Sequence, residues 1–231
     1  MAALPILHGM LERVAKALGS SLCEDMTFVG GCTTGLLLTD DFTKEQVRHT
    51  DDVDLIVHVI GYGGFSALQE RLKKKGFSIP PQEDESPTCA MNLGDLRVDF
   101  MPADENVLGF SNRWYKSAMD TAKAYELSQG LVIRLVTPVY FMATKLEAYR
   151  GRGNNDALGS RDIEDILNLV DGRPELLQEI KSAQQEVQRY ISAELAALLD
   201  DVNFEYAVQS QTKGNTDREA LIFQRLEELV N

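Results

Sequence analysis

The stretch that most constrains this chain is His49-Thr50-Asp51-Asp52-Val53-Asp54-Leu55-Ile56-Val57-His58-Val59-Ile60. Val53, Leu55, Ile56, Val57, Val59 and Ile60 make a β-branched, almost unbroken apolar run, as expected of a strand covered on both faces. Two carboxylates interrupt its start at alternate positions. Successive strand side chains point to opposite faces, so Asp52 and Asp54 share a face about 6.5–7 Å apart along the strand. Asp51 points the other way. Like charges at the head of a buried strand repel and lose hydration, and a divalent cation between them is the usual compensation.

The rest of the chain must build layers around such a strand. At 231 residues it can bury a sizeable core, as one large or two small domains. With 44% hydrophobic and 26% charged residues it has the composition of a globular protein. The net charge of -13 argues against non-specific adhesion to nucleic acid or anionic membrane, while leaving room for a local basic site. Cys23, Cys32 and Cys89 form no C-x-x-C pair, so neither a disulfide framework nor a thiolate zinc site is indicated. Leu4 to Leu18 carries Glu12, Arg13 and Lys16 among apolar residues, which reads as an amphipathic helix and not a signal peptide. No later run approaches a membrane span, and a reduced, cytoplasmic setting is expected.

Ahead of the acidic strand, Met26 to Val29 reads as a short strand running into Gly30-Gly31-Cys32-Thr33-Thr34-Gly35, with Leu36 to Leu38 continuing as a buried helix. A Gly pair at a strand-to-helix junction is either a tight turn or a cradle where free N–H groups favour a phosphate. Thr39 to His49 reads as a polar connector. Gly61 to Gly64 ends the acidic strand, and Phe65 to Lys75 reads as a helix whose last turn, Lys73-Lys74-Lys75, complements its dipole. Strands over 88–93 and 96–101 follow, joined at Gly94-Asp95. Arg97 and Asp99 share one face of the second, so Asp99 completes a three-carboxylate cluster if this strand neighbours Asp52 and Asp54. A short helix over 114–121 and a hairpin over 124–136 precede Thr137-Pro138, a strong helix start. Helices are expected over 138–150, 161–170, 174–199 with a break near 183, and 216–230.

Gly30-Gly31, then Asp52-x-Asp54, then Asp99 on a later strand resembles the ordered motif set of the DNA polymerase β-like nucleotidyltransferase superfamily. The run Phe141-Met142-Ala143-Thr144-Lys145-Leu146-Glu147-Ala148-Tyr149-Arg150, followed by Ser160-Arg161-Asp162-Ile163-Glu164-Asp165-Ile166, looks like the later motifs of AbiEii-type nucleotidyltransferases, which include toxins of toxin–antitoxin systems. The likeness covers most of residues 26–172. It implies an α+β fold: a polymerase β-like core with a mixed sheet flanked by helices over residues 1–136, and a helical domain over 137–231. It further implies two Mg²⁺ ions, or Mn²⁺, on Asp52, Asp54 and Asp99. Nucleotide would be held by Gly30, Gly31, Cys32, Thr33, Lys145 and Arg150. The reaction implied is transfer of a nucleoside monophosphate from an NTP to an acceptor hydroxyl, on RNA such as tRNA, with an antitoxin protein as partner. A small molecule or protein is the alternative acceptor, and a catalytically silent nucleotide-binding chain the alternative role. Two departures stand out. Cys32 replaces the usual hydroxyl after the Gly pair, and the gap from Gly31 to Asp52 is long.

The helical motifs have a physical reading of their own. At 100° per residue, Lys145 falls within the apolar arc of Val139, Phe141, Met142, Leu146 and Tyr149, and Asp162 borders the arc of Ile163, Ile166, Leu167 and Val170. An interhelical Lys145–Asp162 ion pair is one outcome. The resemblance implies the other, with Lys145 on nucleotide phosphate and Asp162 nearby as a base or orienting group. Arg150, Arg152 and Arg161 border the polar loop 151–159 and either grip substrate or are simply solvated.

Overall fold

In a computed structural model, residues 3–81 and 87–231 are described. The elements begin with α1 (Ala3–Leu18), α2 (Ser20–Asp25) and β1 (Met26–Val29), followed by a 3₁₀ turn at Gly31–Thr33. Next come α3 (Thr34–Leu37), α4 (Asp41–Gln46), β2 (Asp52–Val57) and α5 (Gly61–Lys73). Then come β3 (Ala90–Leu93), β4 (Leu96–Pro102), α6 (Glu105–Leu108), α7 (Tyr115–Thr121), β5 (Lys123–Ser128) and β6 (Leu131–Leu135). Helices complete the chain: α8 (Pro138–Arg152), α9 (Arg161–Gly172), α10 (Leu176–Lys181), α11 (Gln185–Leu199), α12 (Val202–Thr212) and α13 (Thr216–Val230).

Two compact units result, the first made of Met1–Thr33 with Arg48–Thr137, the second of Thr34–Val47 with Pro138–Asn231. The first holds a six-stranded mixed sheet in the order β3-β4-β2-β1-β6-β5, flanked by helices. Its centre is parallel where β2 meets β4 and β1 meets β6, and antiparallel where β1 meets β2. Phe28, Val53, Leu55, Ile56, Val98 and Phe100 are fully buried along the central strands, which explains their continuous apolar reading. α1 packs by Leu7, Leu11, Val14, Ala15 and Leu18, an i, i+4, i+7, i+8, i+11 stripe. α5 packs by Phe65, Leu68 and Leu72, and Phe77 meets Phe100 edge-on with ring centres 5.5 Å apart.

Several boundaries differ from the sequence reading. β2 stops at Val57, whose carbonyl accepts from Ala103 N–H, and Ile60 beyond it is 82% exposed. α5 begins at Gly61, so the glycine-rich segment opens a helix and does not merely end a strand. The polar connector contains α4, capped by Asp40, whose carboxylate accepts from the Thr43 N–H at 2.8 Å.

The second unit is helical. Ser160 caps α9, Asp201 caps α12 and Asn215 caps α13, each accepting from a backbone N–H. The 34–47 segment is tied to the later helices of its unit by Arg218, which reaches Asp40 at 2.8 Å and Asp171 at 2.7 Å and lies 4.4 Å over the Phe42 ring. Gly172 lets that segment approach: its carbonyl accepts from Thr39 and Asp40 N–H, and a Cβ there would fall 2.9 Å from Thr43. Among the described residues, no helix is long and apolar enough to cross a membrane.

Candidate metal centre

The register of β2 on β4 decides the chemistry of the first unit. Asp52 lies opposite Arg97, Val53 opposite Val98, and Asp54 opposite Asp99. Alternation therefore places Asp52, Asp54, Arg97 and Asp99 together on one face, while Val53 and Val98 fill the core on the other. Asp52, Asp54 and Asp99 each offer a carboxylate oxygen, and these atoms lie within 4.8 Å of one another. Three acidic side chains are thus close enough to bind a metal ion. Asp99 is buried; Asp52 and Asp54 are half-buried.

Neighbouring groups hold these carboxylates in place. Arg97 donates twice to Asp99, from Nε to Oδ1 at 2.9 Å and from Nη2 to Oδ2 at 2.6 Å, the bidentate geometry that fits a guanidinium to a carboxylate. That hydrogen bonding, aided by the charges of Asp99 and Asp52 and opposed by burial, holds the Arg97 pKa above its ordinary value. Thr50 Oγ1 donates to Asp52 Oδ1.

The Gly turn sits against the same cluster. β1 ends with Val29 opposite Asp54, and Gly30 follows at φ +80°. A Cβ on Gly30 would fall 1.9 Å from Asp54 Oδ2. Only glycine lets the turn pass this carboxylate. The turn then closes on itself, with Thr33 donating to the Gly30 carbonyl from both N–H (3.0 Å) and Oγ1 (2.8 Å). Cys32 is buried, and its thiol lies 3.6 Å from the Leu7 carbonyl as a donor. Burial, and secondarily the charges of Asp54 and Asp52, push that thiol well above its ordinary pKa. The Thr33 hydroxyl is thus engaged within the turn, and Cys32 brings a thiol in place of a hydroxyl.

No protein-family model matches the chain, and no curated protein does. The donor set itself is informative. Three hard carboxylate oxygens with no sulfur or imidazole suit Mg²⁺, Mn²⁺ or Ca²⁺ better than Zn²⁺ or Cu²⁺. The glycine forced by Asp54 keeps backbone where a side chain would otherwise obstruct the cluster. On both counts these residues fit a divalent cation.

The second unit holds its own charged cluster. Lys145 Nζ lies 3.1 Å from Asp162 Oδ1 and 2.7 Å from Asp165 Oδ2, with Lys145 and Asp162 nearly buried and Asp165 wholly so. Arg152 also donates to Asp162 at 3.1 Å, and Thr34 Oγ1 lies 3.3 Å from Asp165 Oδ1. The interhelical ion pair is therefore present, and larger than the sequence suggests. Arg150 pairs with Glu194 at 3.0 Å, so two of the three loop arginines engage carboxylates of their own unit, while Arg161 is exposed at the start of α9.

Three participants are absent from the sequence-derived site: Arg97, Thr50 and Asp165. Each carried a signal. Arg97 and Thr50 stand two residues before Asp99 and Asp52, hence on their faces of the strand path. Asp165 stands three residues after Asp162, on the same side of α9.

Proposed function

We propose that this chain is a nucleotidyltransferase dependent on Mg²⁺ or Mn²⁺, built on a polymerase β-like core. The observation that carries this reading is the register that sets Asp54 directly against Asp99, beside Asp52 and beneath a Gly turn that only glycine can make. Asp52, Asp54 and Asp99 would hold the metal, which when bound favours ionisation of the acceptor hydroxyl and offsets charge on the triphosphate and departing pyrophosphate. In the reaction the acceptor oxygen attacks the α-phosphorus, the bond to the bridging oxygen of the β-phosphate breaks, and the hydroxyl proton leaves to solvent or base.

The chain's own residues supply position. The β2–β4 ladder fixes the carboxylates relative to one another, Thr50 orients Asp52, and Arg97 orients Asp99. The Gly30-Gly31 turn presents backbone beside Asp54, where a phosphate and its cation can share the space. RNA, tRNA included, is the acceptor in this reading, with an antitoxin as partner; both follow from the AbiEii resemblance alone.

Incubation with each of four radiolabelled NTPs, Mg²⁺ and total cellular RNA tests the proposal, with protein and small-molecule fractions run in parallel. Label entering RNA with wild type and vanishing with Asp54→Asn is the expected result. Label confined to protein or a small molecule would replace the acceptor and keep the reaction. An absence of label in every fraction, with no metal-dependent NTP binding by calorimetry, would overturn the reaction too.

A further inference from the structure

We infer that Arg97 is the built-in counter-cation of this carboxylate site, competing with an incoming metal ion for Asp99 and so setting how tightly the site binds metal. The inference rests on the metal-centre reading above.

The argument begins with charge. Asp52, Asp54 and Asp99 bring three formal negative charges to one patch of sheet, and Arg97 returns one positive charge to the same face. Asp99 is only 5% exposed, so without a cation beside it a third carboxylate would be desolvated next to two others. Arg97 supplies such a cation. It does so through a fork that engages both Asp99 oxygens, at 2.9 and 2.6 Å, which are the atoms a metal ion would need.

The guanidinium carries five N–H donors and no acceptor, so it cannot join a coordination sphere. It can only share Asp99 with a metal or yield it. Yielding is mechanically easy. The Arg97 side chain is 40% exposed, whereas Leu96 and Val98, its neighbours in β4, are buried and anchor the strand. The stem can swing its head into water without disturbing the core. Arg97 is thus a positioning residue: it orders Asp99 before metal arrives and opposes the metal electrostatically once it is there.

The test is Mn²⁺ binding by electron paramagnetic resonance and calorimetry, beside melting curves in chelator and in excess Mn²⁺. Wild type, Arg97→Gln and Arg97→Lys are compared. Breaking a charge-assisted hydrogen bond before metal can bind weakens it by about ten- to a hundredfold, so Arg97→Gln should bind Mn²⁺ tighter by that factor. The same variant should melt below wild type in chelator and recover in Mn²⁺. Arg97→Lys keeps the charge and loses the fork, so it should fall between the two and supplies the comparison if the glutamine variant fails to fold. Unchanged or weaker Mn²⁺ affinity in both variants, with wild type binding normally, would overturn the role of Arg97 and leave the metal centre standing. Lack of Mn²⁺ binding by any of the three proteins would overturn the metal centre itself.

Discussion

Replacing Lys145 by methionine separates two roles that a lysine in an apolar helix face can have. Its side chain is 9% exposed and its ammonium lies 2.7 Å from Asp165 and 3.1 Å from Asp162. Methionine matches the length of the stem and suits the surrounding Phe141, Met142 and Leu146, so packing changes little. The electrostatic change is large. Asp162 keeps the Arg152 guanidinium, but the fully buried Asp165 loses the ammonium nearest to it. Removing one partner of a buried pair costs about 3–5 kcal/mol. In a chain of this size that corresponds to a fall in Tm of about 6–20 °C. Adding Asp165→Asn to Lys145→Met removes the stranded charge, so the double variant should recover most of the loss, and the cycle gives the coupling directly. Melting curves of the four proteins, each beside an NTP titration, make the measurement. A Lys145→Met protein as stable as wild type, with NTP binding abolished, would refute the structural role and give Lys145 to the nucleotide.

Two further outcomes follow from the geometry. Gly30→Ala would place a methyl 1.9 Å from Asp54 Oδ2 at φ +80°, where the backbone alone costs about 1–2 kcal/mol, so Mn²⁺ affinity and Tm should both fall; unaltered Mn²⁺ titrations would show that Asp54 is not needed where it stands. The Asp40 carboxyl is pushed from 3.8 down to about 2 by hydrogen bonds from the Thr43 hydroxyl first and Arg218 next. A depressed carboxyl stabilises the fold above its unfolded pKa and loses that contribution as pH falls, so the window is about pH 4 down to 2. Tm of wild type should fall more steeply across that window than Tm of Asp40→Asn, and parallel curves would dismiss the contribution.

The parts of this molecule that the sequence makes legible are those whose physics is local. The β-branched apolar run from Val53 and the alternation along Leu96-Arg97-Val98-Asp99-Phe100 reveal the strands, and the shared face of Arg97 and Asp99 follows from that alternation. The turn at Gly94-Asp95 and the start at Pro138 are written in single residues. α12 is not among the helices expected from the sequence, although Asp201 caps it and Phe204, Ala207 and Val208 stand at helical spacing. What stays hidden is set by pairing at a distance. Asp99 could complete a cluster only if β4 lay beside β2 in the right register, and a one-residue slip would have turned it into the core. α4 has little to declare itself, since its one large apolar residue, Phe42, is 51% exposed. Its place in the second unit depends on Arg218, 178 residues further on, gripping its capping Asp40. Lys145 stands between these cases. The helix arc shows that it is buried, but burial alone cannot distinguish an ion pair from a ligand contact, because both satisfy an ammonium. Two carboxylates converge on it, Asp162 and Asp165, the second brought round by the spacing of α9, so the ion pair is formed, and the Lys145→Met melting curves and NTP titration decide whether phosphate reaches the ammonium as well.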